Sequence, residues 1–368
     1  MKKILFVFGT RPEVIKIAPI VLELKKNKDI EVVLCNTEQQ KELSNQALSF
    51  FGLKSDINLD VMEPNQKLAN VQAKILNKLE LEFQKNKYDA VVVQGDTMTV
   101  LCGALVAFYN KIPTFYVEAG LRSDDLNEPF PEEGIRQMVS RIATVNFTPT
   151  EIATNNLLNE GVNKESIFLT GNTVVDALFC LNSDIEQKAK EFLVNKGIDT
   201  NKDFVLITCH RRENHGERVD KIIEAIDILS NNFLETDFII PVHLNPNVRE
   251  KFYSKLSNKN NIKLLDPLDY PVLVELEKNA KLILTDSGGI QEEAPTFGCP
   301  ILVLRYETER PEGVNAGFAK LVGADKDLII EEANKILLKT KSETRITGKN
   351  NPYGDGKASE RITEIISK

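Results

Sequence analysis

Short apolar segments rich in β-branched residues alternate with longer segments of helical periodicity along the chain. The short segments predict strands at residues 4–8, 31–36, 90–94, 113–117 and 145–148 in the first half, and near 204–208, 237–242, 262–265, 281–285 and 300–304 in the second. Segments with apolar residues three or four apart predict helices near 13–27, 66–87, 97–110, 134–143, 217–230, 247–257, 270–280 and 288–297. This alternation is typical of βαβ units, in which helices cover both faces of a parallel sheet.

The two series of strands and helices predict an α/β fold with two Rossmann-like, doubly wound domains. The polar stretch 176–202 separates the series, so we expect an N-terminal domain over residues 1–175 and a C-terminal domain over 176–353. A helical pattern at 354–367 predicts a tail helix that crosses back, so that about 354–368 belongs to the first domain. Doubly wound sheets bind ligands beyond the carboxyl ends of their strands, so we expect the active site in the cleft between the domains.

The composition is that of a soluble globular protein without a basic surface. The 368 residues are 42% hydrophobic and 27% charged, and the formal net charge is −8. This balance gives no footprint for nucleic acid, and no segment approaches the ~20 apolar residues of a membrane span. Five cysteines are scattered without CxxC spacing, which disfavours a disulfide framework and a zinc site and fits the reducing cytoplasm.

Several catalytic signatures are absent from the sequence. The chain has no GxGxxG for a dinucleotide, no GxxxxGK[ST] for NTP hydrolysis and no GxSxG for a nucleophilic serine. No His, Cys and carboxylate set has metal-ligand spacing. The remaining candidates are turns that could bind phosphate, arginines, carboxylates and histidines that follow predicted strands.

The turn after the predicted strand 281–285 has the composition of a phosphate site. Asp286–Ser287–Gly288–Gly289 leads into a helical pattern, where small residues leave the first N–H groups of the helix open to an anion. Strand-to-helix turns without ligands also favour Ser and Gly, so the motif alone leaves both interpretations open. Glu293, one turn into the helix, could accept ribose hydroxyls, and this favours a nucleotide-bound substrate.

Charged residues also follow the strands of the first half. Arg11 and Lys16 lie near the start of a predicted helix, where cations oppose the helix dipole unless an anion is bound, although they are alternatively surface charges. Asp96 follows the strand 90–94 and taken alone is better explained as a helix cap. Glu118 ends a buried strand, where a charge needs a partner or a function.

Four further residues complete the candidate set. Glu132, with Glu133 beside it, opens the helix predicted at 134–143, where acids are also favoured electrostatically, so a helix-start role stays open. His210 begins a cationic segment after the strand 204–208, whereas His243 lies between two prolines, which leaves a purely structural role open. Arg310, in the segment after the strand 300–304, supplies one more cation.

Together these segments resemble one family, the non-hydrolysing UDP-N-acetylglucosamine 2-epimerases of bacteria. The resemblance runs in order from residue 4 to the tail and rests on Gly9–Thr–Arg–Pro–Glu13, Gly95–Asp–Thr97, Val117–Glu–Ala–Gly–Leu–Arg122, Pro131–Glu–Glu133, His210–Arg–Arg–Glu–Asn214, Asp286–Ser–Gly–Gly289 and Thr308–Glu–Arg–Pro–Glu312. It implies a GT-B architecture, a UDP-sugar substrate, a homodimer and a place in surface polysaccharide synthesis. It implies no metal and no redox cofactor.

The resemblance also implies roles for individual residues. The catalytic candidates are Asp96, Glu118, Glu132 and His210, with Asp96 and Glu132 as the proton-transfer carboxylates, Glu118 as an orienting group and His210 as a stabiliser of the leaving diphosphate. The matching UDP-sugar-binding positions are Arg11, Lys16, Arg136, Ser287, Gly288, Gly289, Glu293 and Arg310.

Many bacterial members bind a second UDP-N-acetylglucosamine as an activator, and part of that set is present. Gln39, Arg211 and His243 match the activator positions, but Glu42 and Asn65 stand where Gln and Arg are common. Replacing a cation by Asn weakens a diphosphate site. We therefore expect the activator to bind differently from its usual mode in the family, or not at all.

Other departures and other functions remain open at this point. Gln94 replaces the usual His before Gly–Asp–Thr, Phe115–Tyr116 replaces Gly–His, and Leu273 stands where an aromatic residue often contacts uracil. A 2-epimerase of another UDP-sugar, such as the 2,3-diacetamido glucuronate, is one alternative. A GT-B glycosyltransferase, which would need an acceptor, and a non-catalytic UDP-sugar-binding protein are the others.

Overall fold

The paired strands of the described residues all run parallel to their neighbours, in two separate sheets. The structure is a computed structural model that describes residues 1–63, 66–211, 214, 216–243 and 245–368. The chain divides into one unit of Met1–Cys180 with Tyr353–Lys368, and a second unit of Leu181–Pro352. The sequence predicts domains of 1–175 with about 354–368, and 176–353.

The first unit is built on a seven-stranded sheet. Its strands are β1 (Lys2–Phe8), β2 (Ile30–Asn36), β3 (Ile57–Asn58), β4 (Ala90–Gln94), β5 (Thr114–Val117), β6 (Val145–Thr148) and β7 (Ile167–Leu169). Its helices before the tail are α1 (Arg11–Leu24), α2 (Lys41–Phe50), α3 (Leu68–Lys85), α4 (Met98–Tyr109), α5 (Glu132–Ile142), α6 (Glu151–Asn159) and α7 (Thr173–Phe179), with a 3-10 helix at Lys164–Ser166.

The strand order of this sheet is β3-β2-β1-β4-β5-β6-β7. The chain moves outward from β1 on one side and then returns to place β4 against the other side of β1, as the pairing of Ile4 with Ala90 shows. The direction in which successive strands are added to the sheet therefore reverses between β1 and β4. In doubly wound folds, the turns at the carboxyl ends of such a strand pair are where ligands bind.

The second unit has a six-stranded sheet in the order β10-β9-β8-β11-β12-β13. Its strands are β8 (Phe204–Thr208), β9 (Asp237–Pro241), β10 (Ile262–Leu265), β11 (Leu282–Thr285), β12 (Ile301–Val303) and β13 (Ala319–Leu321). Its helices are α8 (Ser183–Asn195), α9 (Glu217–Asn232), α10 (Pro246–Leu256), α11 (Tyr270–Asn279), α12 (Gly288–Glu293), α13 (Pro311–Asn315), α14 (Lys326–Leu337) and α15 (Lys341–Thr344), with a 3-10 helix at Ala294–Phe297.

Alternate residues of the strands in the second unit pack into two different cores. Val205 and Ile207 of β8 belong to one buried cluster, with α9, whereas Phe204 and Leu206 belong to another, with α8. Side chains alternate between the faces of a strand, so both faces of the sheet are covered. In this sheet too, the direction in which successive strands are added reverses between two central strands, here β8 and β11.

Several elements were missed by the hydrophobic pattern. The polar stretch 176–202, predicted as a boundary, contains α8, which buries only Ala189 and Leu193 and so has weak helical periodicity. The helix predicted at 288–297 is instead α12 followed by a 3-10 helix, because Pro295 lacks the N–H that continuation of an α-helix needs. No helix of the described residues is long and apolar enough to cross a membrane.

The tail helix α16 (Ala358–Ser367) packs against α1 and α7 of the first unit. A buried carboxylate from α7 holds its first turn: Asp176 accepts hydrogen bonds from Ala358 N (3.2 Å), Ser359 N (2.7 Å) and Ser359 Oγ (2.6 Å). A carboxylate at a helix start satisfies otherwise unpaired N–H groups. This contact spans 182 residues of sequence and ties the tail to the unit.

We predict that Asp176→Ala destabilises the first unit by about 1–3 kcal/mol, since it leaves two buried N–H groups without an acceptor. Urea unfolding measures the loss, and hydrogen exchange of residues 358–367 should accelerate. The control Asp355→Ala removes an exposed ion pair with Arg361 and should cost no more than about 1 kcal/mol. Unchanged exchange in Asp176→Ala would contradict this account of the tail.

Candidate active site

The turns after β1 and β4 are joined by the buried carboxylate of Glu13. Its Oε2 accepts hydrogen bonds from the backbone N–H of Gly9 (2.6 Å) and Thr10 (3.0 Å). Its Oε1 accepts a hydrogen bond from the Thr97 hydroxyl at 2.5 Å. The first two contacts lie in the β1–α1 turn, which carries Arg11, and the third lies in the β4–α4 turn, which carries Asp96.

Burial dominates the protonation of Glu13. It raises the pKa of this carboxyl to about 7, and the nearby Asp96 charge adds to the shift, while the three hydrogen bonds oppose it. The free energy needed to remove a carboxylate from water exceeds the stabilisation from these three hydrogen bonds. Glu13 therefore exchanges its proton near neutral pH.

Close packing at Gly9 fixes the same turn. A Cβ at Gly9 would lie 2.1 Å from Thr37 Oγ1 and 2.8 Å from Thr99 Oγ1, so a side chain has no room there. Thr99 also donates to the Oε1 of Gln39 at 3.0 Å, and the backbone N–H of Arg11 donates to Gln40 Oε1 at 3.2 Å. The predicted activator residue Gln39 thus lies beside the predicted substrate turn.

Glu118 ends β5 in an unusual backbone conformation and accepts three side-chain hydrogen bonds. Its φ is +66°, which is uncommon for a residue with a Cβ and is found where surrounding contacts enforce it. Lys16 Nζ and Gln94 Nε2 donate to its two oxygens, and Asn172 Nδ2 donates to Oε1 at 3.2 Å. Three segments, α1, β4 and the residue before α7, therefore hold this buried carboxylate in one orientation.

Asp96 lies next to this cluster in the β4–α4 turn. Arg136 of α5 donates to its Oδ2 from Nε (2.9 Å) and from Nη2 (2.6 Å). The Arg136 side chain is 4% exposed and the Asp96 side chain 28% exposed, so only the carboxylate of the pair reaches solvent. Asp96 is thus oriented by a buried cation and accessible to a ligand.

The two acids that open α5 have different environments. Glu133 is fully buried, accepts from Ser123 N (3.0 Å) and Gln137 Nε2 (3.0 Å), and lies 3.4 Å from Arg136 Nη1. Glu132 is half-buried, and its side chain has no hydrogen-bond or ion-pair partner among the described residues. Glu133 is therefore structural, and Glu132 remains available for chemistry.

In the second unit, Asp286 organises the turns after β8 and β11. Its carboxylate accepts from the backbone N–H of His210 (3.0 Å) and Arg211 (2.9 Å) and from Asn214 Nδ2 (2.9 Å). His210 Nδ1 lies 2.9 Å from Asp286 Oδ1. Burial acts to raise the pKa of Asp286, but the His210 contact and these N–H donors outweigh it and lower the pKa to about 2.

This arrangement fixes the His210 ring and leaves Nε2 for a ligand. The His210 side chain is 42% exposed, and its ring centroid lies 6.4 Å from that of His243. His243 itself is exposed, and its Nδ1 accepts from Asn245 N at 3.2 Å. A carboxylate behind a histidine orients the ring.

The predicted phosphate turn lies beside a buried group of ion pairs. A Cβ at Gly288 would lie 2.5 Å from the guanidinium carbon of Arg310, so this arginine lies directly over the turn Ser287–Gly289. Arg310 donates to Glu292 Oε1 from Nε (2.6 Å) and to Glu309 Oε1 from Nη1 (2.6 Å). Arg211 Nη2 is 3.6 Å from Glu309 Oε1. Ser287 N donates to Thr285 Oγ1 at 2.9 Å, so the ion pairs hold guanidinium groups next to the N–H groups of Gly288 and Gly289.

Glu293 is backed by a second carboxyl group. Glu277 of α11 is fully buried, and burial followed by the charge and hydrogen bond of Glu293 raises the pKa of Glu277 well above its ordinary value. The raised pKa favours the protonated form of Glu277, which can donate a hydrogen bond to the neighbouring Glu293 carboxylate. Glu293, the residue predicted to bind the ribose, thus has a second buried carboxyl group beside it.

The structure brings the sequence-predicted residues into two sets, one in each unit. Around β1, β4 and β5 it places Arg11, Lys16, Asp96, Glu118, Glu132 and Arg136, and around β8 and β11 it places His210, Arg211, Ser287, Gly288, Gly289, Glu293 and Arg310. Arg212, Glu213 and Asn65 lie outside the described residues. No group of three or more His, Cys, Asp or Glu side chains in the described part of the chain has the arrangement of a metal site.

Sequence reasoning missed four residues that hold this machinery. Glu13 and Asp286 are within recognised motifs: Glu13 lies in the first turn of α1, and Asp286 is an acid directly after the buried strand β11, which is a usable signal. Asn172 gives no such signal because its partner Glu118 is 54 residues away along the chain. Glu277 gives none because it lies within the helical pattern of α11.

Comparison with known proteins identifies the family. A family model described as UDP-N-acetylglucosamine 2-epimerase matches residues 22–367. The chain belongs to the UDP-N-acetylglucosamine 2-epimerase family. The family predicted from the seven motifs is therefore confirmed.

Individual relatives of the epimerase family cover the whole chain. It is 45% identical to UDP-N-acetylglucosamine 2-epimerase of Campylobacter jejuni over 375 residues, covering 100% of this chain and 98% of that protein. The crystal structure of the Neisseria meningitidis enzyme bound to UDP-GlcNAc is similar with a TM-score of 0.93, 42% identity and 99% coverage of both chains. That of Methanocaldococcus jannaschii, with UDP-GlcNAc and UDP, has a TM-score of 0.86 at 37% identity, covering 100% of this chain and 99% of that one. The predicted α/β class with two Rossmann-like sheets is confirmed.

We predict that stability falls with rising pH because of Glu13. Its pKa is 4.5 when unfolded and about 7 when folded, so the folded state binds the extra proton and stability is lost as pH rises through about 7. The shift corresponds to a loss of the order of 3 kcal/mol between pH 4.5 and pH 8.

Urea unfolding of wild type and Glu13→Gln at pH 5 and pH 8 measures this loss. The Gln side chain caps the helix but carries no charge, so the difference in unfolding free energy between the two proteins should change in favour of Glu13→Gln at pH 8. A difference independent of pH would show that Glu13 does not titrate in this range.

Proposed function

We propose that the protein catalyses the reversible epimerisation at C2 of UDP-N-acetylglucosamine to UDP-N-acetylmannosamine. The observation that supports this proposal is that the two units carry different kinds of site. The strand ends of the first unit carry oriented carboxylates. The strand ends of the second unit carry a fixed histidine, arginines and a glycine-rich turn suited to phosphate. Relatives over the full length of the chain bear the name of this enzyme, and one of them was crystallised with UDP-GlcNAc bound.

The reaction explains why both kinds of site are needed. The C2 hydrogen of the sugar is not next to a carbonyl, so direct removal of the proton is very difficult. When the C1–O bond to UDP begins to break, oxocarbenium character develops and acidifies this hydrogen. Loss of the C2 proton and of UDP gives 2-acetamidoglucal. Addition of UDP to C1 and of a proton to the opposite face of C2 then inverts that carbon.

Two carboxylates are assigned to the proton transfers. Asp96 is accessible and oriented by Arg136, and Glu132 is half-buried without a partner among the described side chains. Each is free to accept or donate a proton. Glu118, with donors on both oxygens, serves as an orienting group, and Lys16 and Arg136 set the charge balance of the carboxylates that they contact.

The second unit is assigned to the leaving group. His210, held through Nδ1 by Asp286, presents Nε2 to the departing diphosphate. Arg310, Ser287 and the N–H groups of Gly288 and Gly289 bind phosphate oxygens, and the Glu293 carboxylate accepts hydrogen bonds from the ribose hydroxyls. Groups fixed before the reaction stabilise developing charge without reorganising, which is the main source of rate enhancement in such sites. In this proposal Arg11 contributes a further cation, and neither metal nor redox cofactor takes part.

Two of the departures from the family pattern, Gln94 and Tyr116, make contacts within the protein. Gln94 donates to Glu118, and the buried Tyr116 donates to the carbonyl oxygen of Gly95 at 2.8 Å. These side chains are used within the protein, so they do not favour a larger or more acidic sugar such as the 2,3-diacetamido glucuronate. We therefore retain UDP-N-acetylglucosamine as the substrate.

We further propose that the enzyme acts as a cytoplasmic homodimer in surface polysaccharide synthesis. The family resemblance supports the assembly and the pathway, and the unpaired cysteines fit a reducing compartment. Activation by a second UDP-sugar through Gln39, Arg211 and His243 stays a prediction.

Proton NMR of the purified protein with UDP-N-acetylglucosamine in D₂O, without metal or acceptor, tests the function. The proposal expects deuterium at C2 together with UDP-N-acetylmannosamine. A repeat that starts from UDP-N-acetylmannosamine alone shows whether an activator is required. Absence of exchange from either sugar nucleotide would refute the proposal.

We predict that Asp96→Asn abolishes C2 exchange while UDP binding is largely retained. Removal of a general acid or base typically lowers the rate about 10²–10⁴-fold, and the diphosphate contacts assigned to the second unit are unchanged. Deuterium incorporation measures the first effect and calorimetric titration with UDP the second. The matched control Asp199→Asn, on an exposed turn, should behave as wild type. Full exchange in Asp96→Asn would remove Asp96 from the mechanism.

A further inference from the structure

Two of the described helices begin with the same Thr-x-x-Glu capping box, and they differ in what the glutamate contacts. At α15, Glu343 accepts from Thr340 N (2.7 Å) and Thr340 Oγ1 (2.7 Å). These hydrogen bonds lower the pKa of the exposed Glu343, as expected for a cap. At α1, Thr10 and Glu13 form the same box, but Glu13 is buried.

The buried Glu13 makes contacts that capping does not require. A capping box needs only the bond to the N–H of the N-cap residue, which here is Thr10. Glu13 also accepts from Gly9 N and, across 84 residues of sequence, from the Thr97 hydroxyl. Desolvation of a carboxyl is unfavourable, so a cap alone gives no reason to bury this one.

Thr97 connects Glu13 to the proposed proton-transfer group. It is the N-cap residue of α4, and it directly follows Asp96. Because Glu13 holds the Thr97 hydroxyl, the turn that carries the Asp96 carboxylate is restrained. The other restraint on that carboxylate is Arg136, from α5.

We propose that Glu13 is a positioning residue for the proton transfer assigned to Asp96, and that it acts through the Thr97 hydroxyl. The inference rests on the proposed function, because it presupposes that Asp96 transfers a proton.

The protonation state of Glu13 sets the direction of this hydrogen bond. As an anion, Glu13 accepts from Thr97. When protonated on Oε1, it must donate to Thr97 Oγ1, and the hydroxyl hydrogen has to turn elsewhere. The pKa of about 7 allows both states at neutral pH.

The charged groups around Glu13 are few. Asp96, from the β4–α4 turn, is the charge that acts on Glu13, and it is itself paired with Arg136 of α5. On α1 itself, Lys16 is paired with Glu118 of β5, and Arg11 is the remaining cation of that turn. The anionic form of Glu13 thus meets another carboxylate across the turn.

A double-mutant cycle tests the link. Glu13→Gln keeps the cap but reverses the hydrogen bond to Thr97 and removes the charge, and Thr97→Val removes the hydroxyl at nearly constant volume. We expect each to lower kcat for epimerisation at pH 8 by about 10- to 100-fold, the effect of a small misplacement of a reacting group, with KM changed less than about 3-fold. The double variant should be no slower than the worse single variant.

Three further measurements separate positioning from structure. Thr97→Ser should restore kcat to within about 3-fold of wild type, and the capping control Glu343→Gln should leave kcat unchanged. The pH profile of wild-type kcat should have an inflection near 7 that is absent in Glu13→Gln.

Three results would overturn the inference. The first is a double variant in which the two fold-losses of kcat multiply. The others are full kcat in either single variant and an unchanged pH inflection in Glu13→Gln. Wild-type protein that does not exchange the C2 hydrogen would instead contradict the proposed function, so the two failures are distinguishable.

Discussion

Parallel pairing of the strands is the constraint on which the rest of the structure depends. It sends every strand-to-helix turn of a unit to the same edge of its sheet, and the reversal of strand order, at β1–β4 and at β8–β11, brings turns from distant parts of the sequence together. Glu13 and Thr97 meet at the first reversal, and His210 and Asp286 meet at the second. The chemistry of each unit is assembled by the sheet before any side chain is considered.

Burial at these strand ends then decides what each charge can do. Three carboxyl groups that are similarly removed from water have three different states, since the donors around them differ. Asp286, with N–H donors and His210, is held as an anion, whereas burial raises the pKa of Glu13 to about 7. At Glu277, burial and the neighbouring charge of Glu293 raise the pKa well above its ordinary value, which favours the neutral carboxyl. The anion orients a histidine, the neutral carboxyl orients another carboxylate, and Glu13 is able to do either.

The sequence predicted the central strands because burial on both faces requires continuous β-branched and apolar residues. The prediction for β4 at 90–94 coincides with Ala90–Gln94, but the short edge strands β3, β7 and β13 have too few residues to form a pattern. Helix α14 was missed although it buries Ile329, Ala333 and Leu337 on one face. Half of its twelve residues are polar.

The candidate site was predictable where a motif contained the residue, and not where a partner came from elsewhere in the fold. Acids and arginines after strands were visible as charges in places where charges are costly. Their pairings were not: Asn172 is 54 residues from Glu118, and Arg136, predicted as a UDP-sugar-binding residue, is 40 residues from the Asp96 that it contacts. A pattern along the chain reports local spacing, whereas the orientation of these groups depends on tertiary contacts.

The central claim is that the C1–O bond to UDP breaks and re-forms during epimerisation, with the diphosphate held by the second unit. UDP-N-acetylglucosamine labelled with ¹⁸O in the bridge between C1 and the β-phosphorus tests it directly, by phosphorus NMR. The account predicts that ¹⁸O moves from the bridge into the non-bridging positions of the β-phosphate as UDP-N-acetylmannosamine forms. Complete epimerisation with all the ¹⁸O still in the bridge would contradict it.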